Sequence, residues 1–395
     1  MLDDFRPSLI GTTHGRSADR RFGIKQADRL SHLYVIGKTG TGKSTLLQSL
    51  ALQDLKAGRG LIFVDPHGDV VSALAESKAA QSRSDLIYWD VPDPTSPYGY
   101  NPLRRVRDDR IPLAVSGVLE AFKMHWPDAW GVRMEHMLRN ALYALIETPE
   151  STLADILRLL TDKEYRRTIA NALSNSVVQR FWLYEYQQYS GRYRADAIAP
   201  IQNKVGAFLA DPRLLRLLTS PEQDLHLRNI MDEGGVLLVN LGKGTLGEDS
   251  ANLLGSLLVT TIGLAAISRA DTPEASRKPC FVYLDEFQSV TTRSVATMIA
   301  ELRKYGVGFT LANQHFGQLD TEVRQAVLGN AGTLISFRVG EEDAALLSRV
   351  FAPKISATDL TSLPNYELYI RLMIDGTPSR PFSATTLPPD HGLFA

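Results

Sequence analysis

HLYVIGKTGTGKSTLL, residues His32 to Leu47, decides how the rest of this chain reads. An apolar run leads into Gly37-Lys38-Thr39-Gly40-Thr41-Gly42-Lys43-Ser44, a fit to G-x-x-x-x-G-K-[ST], and good helix formers follow. Strand, glycine-rich loop and helix are expected in that order. Glycines let consecutive backbone N–H groups curl around phosphate oxygens, the new helix points its positive end at them, and Lys43 adds a cation for the β and γ phosphates. Ser44 is left for magnesium. The pattern predicts ATP and Mg2+ as ligands, held by Gly37, Thr39, Gly40, Thr41, Gly42, Lys43, Ser44 and Thr45. A plain glycine turn with an exposed lysine is the competing reading, and it explains neither flank.

Downstream, GLIFVD (60–65) is a second apolar strand, and it ends in DPHGD. Asp65 there either lies near magnesium at the nucleotide edge of an open sheet or caps the next helix. DLIYWDV (85–91) reads as a third strand. From about Leu103 to Asp232 apolar residues recur at three and four with proline or glycine breaks between, the mark of one all-helical insertion. Strands resume with GGVLLVNLG (234–242), then PCFVYLDEFQSV, GVGFTLANQ, GTLISFRVG and YELYIRLMID. The expected fold is α/β. A mainly parallel sheet covered on both faces is formed by residues 1–104 and 233–395, with an all-α domain at 105–232. The start of the chain is polar and basic (Arg16, Arg20, Arg21), and Phe22 to Ile24 is expected to add a short edge strand.

FVYLDEFQ (281–288) is an apolar strand that ends in adjacent carboxylates. Parallel sheets bring strand ends together at one edge, and neighbouring side chains diverge, so the two acids are free to differ in task. Asp285 suits the magnesium shell beside Ser44; Glu286 suits orienting and deprotonating the attacking water. Without the glycine loop the same pair reads as a loop start or helix cap. Gln314 ends the next strand, where its amide either touches the γ-phosphate or serves as an ordinary loop residue. MIAELRKYG places Arg303 and Lys304 at a helix end, where cations also complement the helix dipole. Arg303 is favoured as an arginine finger reaching a neighbouring subunit's γ-phosphate, with Lys304, Arg324 and Arg338 as rivals.

Composition bounds the rest. Forty-three basic and 44 acidic residues, net charge −1, argue against a protein coated in positive charge for nucleic acid, but leave room for a local basic channel. Cys280 is the single cysteine, which rules out a disulfide framework and a cysteine zinc site. The first residues show no apolar signal-peptide core. Ala251 to Ser268 is an uncharged stretch at the lower length limit for a membrane span, and is better read as a helix buried against the sheet. Two stretches are candidates for DNA. NPLRRVRDDR carries Arg104, Arg105, Arg107 and Arg110, while RFWLYEYQQYSGRYR interleaves Trp182, Tyr184, Tyr186, Tyr189 and Tyr193 with arginines. A solvated face and a helical-domain core are the respective alternatives.

Together, GKTGTGKSTLL, the DPHGD turn, NPL before a helical insertion, FVYLDEFQ, ELRKYGVGFTLANQ and VLGNAGTLISFRVG resemble the FtsK/HerA superfamily of DNA-pumping ATPases. Within it they look most like the coupling proteins of conjugation and type IV secretion. The likeness implies a RecA-like P-loop NTPase domain joined to an all-helical one. It implies phosphate and metal roles for Lys43 and Ser44, a Walker B pair at Asp285 and Glu286, a polar sensor at Gln314 and a trans-acting finger at Arg303. It implies a homo-hexameric ring with DNA in a central bore, so that only the bore need be basic. Coupling proteins usually carry an N-terminal membrane anchor, and none is expected here. The setting implied is cytoplasmic, with a membrane secretion channel or a nuclease as partner. The expected function is an ATP-driven DNA translocase. A HerA-like double-strand pump and a nucleotide-switched adaptor for protein cargo are the alternatives.

Overall fold

The computed structural model describes residues 6–14 and 20–389. Arg16 lies outside them, while Arg20 and Arg21 are described. In chain order the strands are β1 (Ser8–Thr13), β2 (Arg21–Ile24), β3 (Leu33–Ile36), β4 (Gly60–Asp65), β5 (Leu86–Asp90), β6 (Tyr98–Gly99), β7 (Gln223–Asp224), β8 (Val236–Asn240), β9 (Cys280–Leu284), β10 (Val307–Asn313), β11 (Thr333–Ser336), β12 (Glu367–Arg371), β13 (Met373–Ile374), β14 (Thr377–Pro378) and β15 (Phe382–Thr386). Among the described residues, eleven of them form one sheet in the order β2-β1-β15-β12-β11-β3-β10-β9-β4-β8-β5.

The strands from β11 to β5 run parallel, and their ends align. Ile36 pairs with Asn313 and Ser336, while Leu284 pairs with Val64 and Leu311. One sheet edge therefore collects the loops that leave β3, β4, β9 and β10. These strands are apolar throughout because helices cover both faces; all six residues of β4 are buried. The helix Lys43–Lys56 packs on one face, and the long helix Glu248–Ser268 and the helix Ile111–His125 lie on the other. Helices from Ile111 to Thr219 share a continuous apolar core with that second face. A two-residue ladder between β6 and β7 closes the helical stretch at its root.

The sheet is mixed rather than parallel to its end. β12, β15, β1 and β2 pair antiparallel and extend it past β11. YELYIRLMID is not one long strand either, since it breaks into β12 and the β13–β14 hairpin. The signal lies in alternation. Leu368 and Ile370 are buried while Glu367, Tyr369 and Arg371 are half-exposed, a pattern for an antiparallel strand with one wet face. Among the described residues one helix is long and apolar enough to cross a membrane. It contains the uncharged stretch from Ala251 to Ser268, and 72% of its apolar window is buried inside the molecule.

Two buried polar contacts fix the sheet to its flanks. The Arg29 guanidinium forks onto the Asp54 carboxylate at 2.6 and 2.8 Å, with Tyr283 of β9 bonded to both. This ties the helix after the P-loop to the strand that ends in Asp285. His32 donates from Nε2 to the Ile299 carbonyl and accepts the Phe309 N–H at Nδ1, so its second nitrogen has no room for a proton. Burial pushes its pKa down to about 4. A folded value below the unfolded 6.5 contributes stability that is complete above pH 6.5 and is lost as pH falls toward 4. By pH 5 this one ring accounts for about 2 kcal/mol. A urea titration at pH 7 and pH 5 is expected to show a smaller loss of midpoint in His32→Asn than in the parent. An identical loss in both proteins rejects this origin.

Candidate nucleotide site

The loop after β3 turns sharply because two glycines permit it. Gly42 has φ 118°, and a Cβ on Gly37 sits 2.6 Å from Phe337 Cβ. Gly42 caps the fourteen-residue helix Lys43–Lys56 without a side-chain hydrogen bond, so the first helical N–H groups open onto the loop. Lys38, Thr39 and Gly40 form the exposed rim, while Thr41 is buried and donates to the Lys38 carbonyl at 2.7 Å. Thr45 is half-buried in the first helical turn. Lys43 is 7% exposed and donates to the carbonyls of Gly37 (2.6 Å) and Lys38 (3.1 Å), with no carboxylate in ion-pair contact among the described residues. Burial lowers its pKa, against the pull of Asp285 and Glu286. A buried cation among free N–H groups fits a polyphosphate.

The tip of β9 meets this loop. Ser44 Oγ donates to Asp285 Oδ2 at 2.8 Å, and the Glu286 N–H holds Asp285 Oδ1 at 2.9 Å. Asp285 is 8% exposed, and burial raises its pKa against its bond from Ser44. A hydroxyl and a carboxylate in contact are hard oxygen donors that fit Mg2+, which takes few protein ligands and fills its shell with water and phosphate oxygens. Glu286 has φ 45°, a left-handed backbone that costs a non-glycine residue about 1–3 kcal/mol and turns its side chain away from that of Asp285. Gln314, just past β10, donates to Glu286 Oε1 at 3.0 Å. His67, from the DPHGD turn, lies 3.2 Å from Glu286 Oε2. The carboxylate is bracketed on both oxygens.

A family model described as the helicase HerA central domain matches residues 25–262. This chain belongs to that family. A second model, the TraM recognition site of TraD and TraG, matches residues 279–354 of the HerA-type chain. Its fold is similar to the plasmid coupling protein TrwB in complex with the non-hydrolysable ATP analogue ADPNP (TM-score 0.68, 19% identity, 97% of this chain and 95% of that one). TrwB in complex with ADP and Mg2+ gives 0.66 at 18% identity over 97% and 95%. VirB4 of Thermoanaerobacter pseudethanolicus gives 0.65 at 15% identity over 98% and 97%. At these identities the likeness establishes the fold, a RecA-like P-loop ATPase architecture. No curated protein matches the chain in sequence.

The HerA-type chain resolves several alternatives left open by its sequence. The Asp65 carboxylate accepts the N–H groups of His67, Val70 and Val71, so it caps the first turn of the helix Asp69–Ala75. Arg338 lies beside its own P-loop, bonded to Leu363 O and Asn365 Oδ1, and its carbonyl accepts the Lys38 N–H. Arg324 is half-buried on the helix Thr321–Asn330. Arg303 and Lys304 are exposed before the start of β10, at the sheet edge opposite Lys43. Of the two readings of the aromatic stretch, the structure favours the helical-domain core. Trp182 and Tyr186 are 1% and 2% exposed and pack with Phe181 in the helical core; Tyr184 alone stands well out.

Sequence reasoning misses two residues near the site. His67 counts there only as part of a turn, and Tyr366 only as the start of a strand. Tyr366 takes φ 68° and donates its N–H to the Thr41 carbonyl, so the residue leading into β12, which is separated from β3 only by β11, braces the P-loop. A tyrosine with positive φ has no signature in composition or periodicity.

Proposed function

We propose that this chain is an ATP-hydrolysing DNA translocase of the coupling-protein type, with catalytic sites completed between subunits of a homo-hexameric ring. The observation that carries the reading is the 2.8 Å contact of Ser44 with Asp285, which joins the phosphate loop to an acidic strand tip with Glu286 beside it. Lys43 and the helix N–H groups bind the β and γ phosphates. Ser44 and Asp285 hold Mg2+, which supplies charge neutralisation between those phosphates. Glu286 orients the attacking water and takes its proton, Gln314 senses the γ-phosphate, and Arg303 reaches the neighbour's nucleotide. Residues 1–104 and 233–395 form the nucleotide unit, and 105–232 the helical unit that moves with it.

The test is ATP turnover with single-stranded, double-stranded and no DNA, run beside mass measurement of the nucleotide-bound protein. Stimulation by DNA together with a multimeric mass is expected. Turnover indifferent to DNA, with tight binding of a protein cargo, sinks the translocase in favour of an adaptor. The HerA match supports a double-strand pump as second reading, and stimulation by duplex alone selects it.

His67 acts as a positioning residue for Glu286. Replacing it by Ala frees one carboxylate oxygen while leaving the P-loop intact. The expected result is about a tenfold fall in kcat with KM for ATP unchanged, as for an interaction made in the transition state. A parallel rise in KM refutes positioning.

A further inference from the structure

The arginine run at the root of the helical insertion borders a groove of about 250 Å3 that the nucleotide chemistry does not use. Its floor is the last two turns of the helix Glu248–Ser268. That helix is buried nearly all round along most of its length, but Thr261, Leu264, Ala265 and Ser268 are only half-buried. The spacing i, i+3, i+4, i+7 is one helical stripe, and it faces the groove. Arg104, Arg105, Arg107, Arg110 and Arg228 line the same groove; among its described lining residues there is no carboxylate. Their acidic partners, Asp108, Asp109, Asp224, Asp232 and Asp271, lie outside that lining, so the groove face is positive while the charge around it is balanced.

The arginines differ in how firmly they are held. Arg104 is paired with Asp224 and His226, and Arg228 with Asp232 and Asp271. Arg105, Arg107 and Arg110 share Asp108 and Asp109 at 3.2 to 3.5 Å, three cations on two acids. Arg107 is 64% exposed, and pairs of this kind exchange readily for a better partner. The groove lies at the far sheet edge, since the helix beneath it starts after β8 near the nucleotide edge and runs about 30 Å away from it.

We propose that this groove docks an acidic amphipathic helix of a partner protein. A half-buried helical stripe with Leu264 and Ala265 at its centre and the hydroxyls of Thr261 and Ser268 at its ends, beside loosely held guanidinium groups, matches a helix whose leucine-type face meets Leu264 and Ala265 and whose carboxylates meet Arg105, Arg107 and Arg110. A nucleic-acid strand matches less well. Bases need open aromatic faces; of the two rings in the described lining, Tyr100 is 1% exposed and the His226 imidazole is engaged by Arg104.

The experiment uses the full chain and three fluorescent probes. They are a twenty-residue peptide with Leu at i, i+3, i+4, i+7 and Glu between, its scrambled isomer, and a twenty-nucleotide single strand. Binding is read by anisotropy. The ordered peptide is expected to bind about tenfold more tightly than the scrambled one, and to weaken about tenfold in Ala265→Glu and in Arg105→Glu/Arg107→Glu. Basal ATP turnover reports that each variant is folded, and Arg107→Glu alone serves where the double variant is not. Equal binding of both peptides, no binding of either, or insensitivity to Ala265→Glu overturns the proposal. An oligonucleotide that displaces the peptide and depends on the arginines alone assigns the face to nucleic acid instead.

Discussion

A Glu286→Gln protein is expected to bind ATP as tightly as the parent and to hydrolyse it about 10²–10⁴-fold more slowly. The carboxylate is held by Gln314 and His67 while making no contact with the phosphate loop, so its loss leaves Lys43, Ser44 and Asp285 in place. The amide keeps the shape and the bond from Gln314, and removes only the capacity to take a proton. Binding and turnover therefore separate. Lys43→Ala gives the opposite result, because its ammonium is the buried cation of the loop, Lys38 standing on the exposed rim, and nucleotide binding itself is lost. Measuring affinity for a fluorescent ATP analogue beside steady-state hydrolysis distinguishes the two. A Glu286→Gln protein with parental kcat removes Glu286 from the chemistry. One that no longer binds nucleotide gives it a structural role.

The parts of the site that sequence reveals are those whose chemistry is local. G-x-x-x-x-G-K-S needs strand, loop and helix in sequence, and an apolar strand ending in Asp285-Glu286 can place them only at a sheet edge. What it leaves open depends on contacts between distant segments. Asp65 has the same standing in the sequence whether it caps a helix or faces a metal, and only the three N–H groups that converge on it decide. His67 and Tyr366 act through bonds to Glu286 and Thr41, far away in the chain. The antiparallel extension is legible in principle. β12 and β15 alternate buried and half-exposed residues where β4 does not, but β12 lies within a ten-residue run long enough to pass for a single strand.

Arg303→Ala is expected to lower turnover about 10³-fold or more in a uniform assembly, with little change in ATP affinity. Arg303 is chosen over Arg338 on the structure's charge pattern. With Arg371 it lines a cleft of about 340 Å3 in which, among the described lining residues, there is no carboxylate, and His32 beside it is held neutral by burial. Arg303 has no ion-pair or side-chain hydrogen-bond partner among the described residues, whereas Arg338 is tied down beside its own loop. An uncompensated, exposed guanidinium opposite the chain's own Lys43 serves a neighbour or nothing. Subunit mixing decides between these. Arg303→Ala supplies an intact Glu286, and Glu286→Gln an intact Arg303, so random co-assembly completes about one interface in four. Two inactive proteins are expected to regain a corresponding share of parental turnover when mixed. Co-assembly without recovery means that Arg303 does not act across the interface, and a recovery obtained with Lys304→Ala in its place moves the finger by one residue.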